Sequence, residues 1–120
     1  MLTLPSSVSV FICCVPTDMR KSFDSLAAAV EQIILQNPLS GHLFVFFNRP
    51  RTMVKVLFWD RSGYCLYYKR LESGTFALPE DVMASGDSAP YSLPDLMLIL
   101  EGIDLSLAYR RKRFSLQKVA

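Results

Sequence analysis

The sequence predicts an α+β domain: a mostly antiparallel sheet of four to five strands packed by one long N-terminal helix, with a short C-terminal helix and a basic tail. Three observations carry that prediction. Short apolar runs rich in β-branched and aromatic residues recur between turn signals. One stretch, 19–36, has helical periodicity instead. The chain has 120 residues, 51% of them hydrophobic and 20% charged, which suits a single core. Residues 1–109 are assigned to the domain and 110–120 to the tail.

Residues 8–15 (VSVFICCV) read as a buried strand ended by Pro16. Thr17 and Asp18 are helix-capping types, and the helix is expected over Met19 to Gln36. Its apolar face is Phe23, Leu26, Ala27, Val30, Ile33 and Ile34, at the spacing that stacks side chains along one side. Asn37-Pro38 stops it, since proline disfavours an α conformation at the preceding residue. Residues 42–48 (HLFVFFN) are nearly all apolar, as in a strand buried on both faces. Asn48 to Thr52 (NRPRT) form a basic loop.

Two strands follow, Met53–Trp59 and Tyr64–Leu71, joined through Asp60-Arg61-Ser62-Gly63. Aspartate first and glycine fourth suit a three-residue hairpin loop with a glycine bulge. That register sets Trp59 opposite Cys65, Leu57 opposite Tyr67 and Lys55 opposite Lys69. A short strand is expected near Thr75–Leu78, then an acidic surface loop over 80–90. Ser92 and Pro94 start a second helix over Asp95–Glu101, which ends at Gly102. Beyond Ala108 the tail YRRKRFSLQKVA is basic.

The net charge of +2 hides a segregation. Residues 1–79 carry +3, residues 80–104 carry −6 with no base, and residues 105–120 carry +5 with no acid. Such asymmetry points to charged partners. Cys13, Cys14 and Cys65 are too few and too badly spaced for a disulfide framework, which suits a reducing cytoplasm. No secretory leader and no run of about 18 apolar residues is present, so no membrane span is expected. The length leaves no room for a nucleotide-binding α/β enzyme or a self-contained transposase core.

Catalytic patterns are missing: there is no nucleophile elbow, P-loop, HExxH or GxGxxG. One histidine, His42, and no CxxC pair leave zinc without a ligand set, and no cofactor is expected. Asp18, Asp24, Asp60 and Glu72 each have a plainer role at a helix start, on a polar face or in a turn. The features that suit chemistry are cationic. Arg110, Arg111, Lys112 and Arg113 form a run able to neutralise phosphates and release counterions. Lys55, Trp59, Tyr67 and Lys69 share one hairpin face in the expected register, where bases and aromatics together can hold a sugar-phosphate backbone and stack a base. Lys55 and Lys69 would repel across the strands unless solvated or facing an anion. Arg20 and Lys21 add charge at the helix start.

The stretches TDMRKSFDSLAAAV (17–30), PLSGHLFVFFNR (38–49), KVLFWDRSGYCLYYKRLESGTF (55–76) and LILEGIDL (98–105) stand in an order and spacing that resembles the TnpB, or second open-reading-frame, accessory proteins of the IS66 family of bacterial insertion sequences. These are unrelated to the RNA-guided nucleases that share the TnpB label. The resemblance implies a non-catalytic accessory role in transposition, beside a separately encoded DDE transposase and another accessory protein. Asp18, Arg20, Lys21, Phe23, Trp59, Asp60, Gly63, Lys69, Arg70, Leu71, Glu72 and Gly74 match motif positions without an assigned catalytic role. Leu105 departs from the pattern, in which many relatives carry tryptophan. Two roles are open: binding of element DNA through the tail and hairpin lysines, or docking on the transposase or the sister accessory protein without DNA contact. A sheet with an exposed edge also allows a homodimer.

Overall fold

A computed structural model describes residues 7–102. The basic tail, with Arg110, Arg111, Lys112 and Arg113, and the 109/110 domain boundary lie outside the described residues. Five strands, β1 (Val10–Cys13), β2 (Leu43–Phe47), β3 (Met53–Asp60), β4 (Gly63–Arg70) and β5 (Ser88–Tyr91), form one sheet in the order β4-β3-β2-β1-β5. The helices are α1 (Phe23–Ala29), α2 (Glu80–Met83) and α3 (Leu93–Leu100).

The sheet is mixed, which corrects the mostly antiparallel expectation. β1 and β2 are parallel, Val10 beside Leu43 and Cys13 beside Phe46, while the other three pairings are antiparallel. The helical segment between β1 and β2 returns the chain to the start of the sheet, as a parallel pair requires. β2 (LFVFF) is buried at every position, because both sheet faces are covered. One face packs Phe44, Phe46 and Leu57 against Leu26, Ala29, Val30 and Ile34. The other packs Val10, Val45, Val56 and Phe58 against Leu96, Ile99 and Leu100 of α3, with Phe76 inserted beside them.

The long N-terminal helix is also corrected: the short α1 and a π-helical turn stand in its place, and the other two helices of the described residues are short as well. Asp18 does not cap a helix at residue 19. Its carboxylate accepts from the Arg20 backbone N–H at 2.9 Å, a local turn that competes with helix formation. Ser22 and Ser25 make the capping box instead, so α1 begins at Phe23. After Ala29 the backbone widens into a π-helical turn, Val30–Ile34, and Leu35 ends it in a left-handed conformation (φ 61°). Phe23, placed in the core by periodicity, is 44% exposed.

Three further expectations shift. The β3–β4 connection is a two-residue turn, Asp60 pairing with Gly63, with Arg61 at φ 51°. Every cross-strand partner therefore moves by one residue: Trp59 faces Tyr64, Phe58 faces Cys65, Val56 faces Tyr67 and Lys55 faces Tyr68. No strand forms over 75–78; Phe76 is buried there as a plug, its N–H held by the Arg51 carbonyl at 2.7 Å. The expected 80–90 loop instead contains α2 and most of β5, whose exposed Pro90 sits on an edge strand as proline must. Ser92 caps α3, its hydroxyl accepting from the Asp95 N–H at 3.2 Å.

Candidate nucleic-acid interface

Parallel β1 and β2 run the same way, so the loops after both emerge at one end of the sheet. Antiparallel pairing brings the start of β3 and the end of β4 to that same end. Four basic loop residues stand there: Arg20 and Lys21 after β1 and Arg49 after β2 are exposed, and Arg51 is half-buried. The Thr17 N–H bonds the Phe47 carbonyl at 2.8 Å, tying the first loop to the second.

Asn48 builds the second loop from within. Its side-chain oxygen accepts from the N–H groups of Thr52 (2.9 Å) and Met53 (3.0 Å), and its amide donates to the Thr52 hydroxyl at 3.0 Å. The Arg51 N–H closes the turn on the Asn48 carbonyl at 3.0 Å, with Arg51 at φ 57°. Loop NRPRT is thus a hydrogen-bonded platform that holds its arginine backbones in fixed places. Between the loops lies an open cleft of about 370 Å³ lined by Pro16, Thr17, Asp18, Met19, Asn48, Arg49 and Met53.

Asp18, on the cleft wall, is paired with Arg20 at an N–O distance of 2.6 Å. The Arg20 guanidinium and its backbone N–H hold the Asp18 carboxyl at about 2, so it stays ionised. The Arg20 side chain is 92% exposed, and an exposed pair of this kind rearranges at little cost when a stronger anion arrives.

The two hairpin lysines of the sequence reading stand apart, on opposite faces of the sheet, because of the one-residue shift in register. Lys55 is buried; its ammonium donates to the carbonyls of Met19 (2.8 Å) and Lys21 (2.6 Å) and lies 4.6 Å from the centre of the Tyr68 ring. Lys69 donates to the Leu100 carbonyl at 2.6 Å, at the C-terminal end of α3 where a cation is favoured. Each lysine ties a distant segment to the hairpin. Trp59 and Tyr67 also part company. Trp59 packs edge-on against Tyr64, with ring centres 5.1 Å apart, and Tyr67 lies on the other face.

The carboxylates weighed above are scattered. Asp24 sits in the first turn of α1, Asp60 in the hairpin turn, and Glu72 on Arg70 at 3.0 Å. His42 has a structural bond, its Nδ1 accepting from the Ser9 N–H at 3.0 Å. Burial pushes the Cys13 and Cys14 thiols up, with nearby Asp87 acting in the same direction. Among the described residues no helix is long and apolar enough to cross a membrane.

Sequence reading had noted NRPRT as a basic turn without giving it a role. The signal was present: an asparagine followed by two arginines around a proline, next to a strand buried on both faces. Tyr68 was missed, because the hairpin register that exposes it follows from the tighter turn.

Fold and site together define a small mixed-sheet domain with an open cleft at one end, between two loops that carry basic residues. The chain belongs to the IS66 Orf2-like protein family, whose model matches residues 8–110. It is 41% identical over 104 residues to the uncharacterized protein y4hO of Sinorhizobium fredii (strain NBRC 101917 / NGR234), covering 87% of this chain and 88% of the relative. It is 32% identical over 97 residues to y4jC, an uncharacterized protein of the same organism, covering 80% of each. No solved structure matches. Membership fits an accessory protein of an insertion sequence.

Proposed function

We propose that this protein is a non-catalytic accessory factor for transposition that binds element DNA, working in the bacterial cytoplasm beside a separate DDE transposase. The observation that carries this reading is the Asn48-built loop, which sets Arg49 on one wall of a cleft whose other wall, Pro16 to Met19, leads directly into Arg20 and Lys21. Guanidinium groups on a fixed backbone suit phosphate oxygens in geometry and charge. Lys55 and Lys69 enter as supports, since their ammonium groups already bond backbone carbonyls. The run Arg110, Arg111, Lys112 and Arg113 supplies further phosphate contacts in this reading.

The test is a salt titration of binding to element-end DNA with the full chain and an Arg49→Ala/Arg51→Ala variant. Loss of two phosphate contacts lowers the slope of log affinity against log salt by roughly 1.8. An unchanged slope and affinity would overturn the cleft as the DNA contact. A second reading, docking on the transposase or a sister accessory protein without DNA, draws support from Met97 and Leu98 of α3, 45% and 36% exposed. Co-purification with either protein after nuclease treatment, lost on Met97→Lys, favours that reading.

A further inference from the structure

We propose that the cleft takes a single-stranded nucleic acid, with Tyr68 as the platform on which an unpaired base stacks. The inference rests on the cleft being a nucleic-acid interface and adds which form of nucleic acid it selects. Tyr68 lies on the outer strand β4 and is 52% exposed, unusual for a tyrosine held at both ends of its side chain. The Lys55 ammonium lies 4.6 Å from the ring centre, and the hydroxyl donates to the Met53 sulfur at 3.3 Å. Met53 is also a wall of the cleft, so the ring adjoins the cleft through Met53.

Phe23, 44% exposed, stands two residues beyond Lys21, whose carbonyl accepts from the same Lys55 ammonium. Two exposed aromatics thus flank a basic loop, with one buried cation fixing the parts relative to one another. A ring already immobilised loses little side-chain freedom when a base lands on it. The chemistry suits a single strand: phosphates follow Lys21, Arg49 and Arg51, and an unpaired base reaches the open part of the ring. Asp18 on the cleft wall repels phosphate and can accept from an exocyclic amino group, which favours a base over backbone at that point. A duplex keeps its bases stacked and offers the ring only its sugar-phosphate rim.

The experiment is fluorescence anisotropy with one labelled oligonucleotide, free and annealed to its complement, at fixed salt. The full chain is compared with Tyr68→Leu, Tyr68→Trp and Arg49→Ala/Arg51→Ala. The expected result is tighter binding of the single strand, a loss of about tenfold on the single strand alone with Tyr68→Leu, and retention with Tyr68→Trp. The introduced indole should be quenched by the single strand and not by the duplex. Preference for the duplex, or equal effects of Tyr68→Leu on both forms, would overturn stacking. Equal binding of both forms, sensitive to the arginine variant but not to Tyr68→Leu, overturns stacking alone and leaves the cleft intact. Binding of neither form overturns the interface itself.

Discussion

Lys55 sits in mid-strand with hydrophobic neighbours, and its side chain is what holds the Met19–Lys21 loop to the sheet. Hydrogen bonds to a charged donor contribute more than neutral ones, and removing the ammonium leaves two carbonyls without their partner. Lys55→Met keeps the stem and loses the head; urea unfolding should show a loss of about 2–3 kcal/mol. A loss below about 0.5 kcal/mol would mean the loop is held otherwise. Sequence alone identified Lys55 as anomalous but read the anomaly as an anion site, because strand alternation says which side a residue faces and not which carbonyls wait there. The thiols give a second test. Burial raises Cys13 and Cys14 in the folded protein, so their neutral forms stabilise it fully below the ordinary thiol value of about 8.5. That stability fades as pH rises through the higher folded values. The urea midpoint should therefore fall more steeply above pH 8.5 for the natural chain than for a Cys13→Ala/Cys14→Ala variant; parallel slopes would contradict it.

At the scale of elements, turns and ends were the least legible features. The runs VFIC, LFVFF and MVKVLFW announced their strands through composition alone. The hairpin turn did not, because Asp-Arg-Ser-Gly is compatible with a two- or a three-residue loop, and one residue of slip exchanges the faces of all that follows. The helix prediction over 19–36 counted apolar spacing correctly from Leu26 to Ile34, yet could not see that Asp18 turns back on Arg20 or that the helix widens after Ala29. Leu35 pays for that ending: a branched side chain in a left-handed conformation (φ 61°), 76% exposed, with little packing to lose. Leu35→Gly should stabilise the protein by about 0.5–1 kcal/mol, the relief of backbone strain exceeding the added freedom of the unfolded chain. A raised thermal midpoint checks this, and a lowered one would show that Leu35 carries a contact worth more than its strain.

For the molecule as a whole, the charge blocks seen in the sequence correspond only partly to surfaces. The acids of 80–95 occupy α2, the turn before β5 and the first turn of α3, while Arg20, Lys21, Arg49 and Arg51 gather at the loops after β1 and β2. That gathering was invisible to a linear reading, since residues 20–21 and 49–51 meet only because β1 and β2 are parallel. The parallel pair is also what the fold class missed. β5 was hidden for a related reason: four residues including a proline, inside an acidic stretch, become a strand only because β1 offers them an edge.

That arrangement has a consequence in time. β1 gains its first neighbour when residues 43–46 are made, but its other side waits for Ser88–Tyr91. On a ribosome adding about 5–20 residues each second, the intervening stretch of about 40 residues takes roughly 2–8 s to synthesise. Throughout that interval an almost fully buried strand has one row of amides and carbonyls bare, a template for any neighbouring nascent chain. The last of the described strands to be made therefore acts as a cover for the first, and a polysome translating this message must survive seconds of exposed β1 before β5 closes over it.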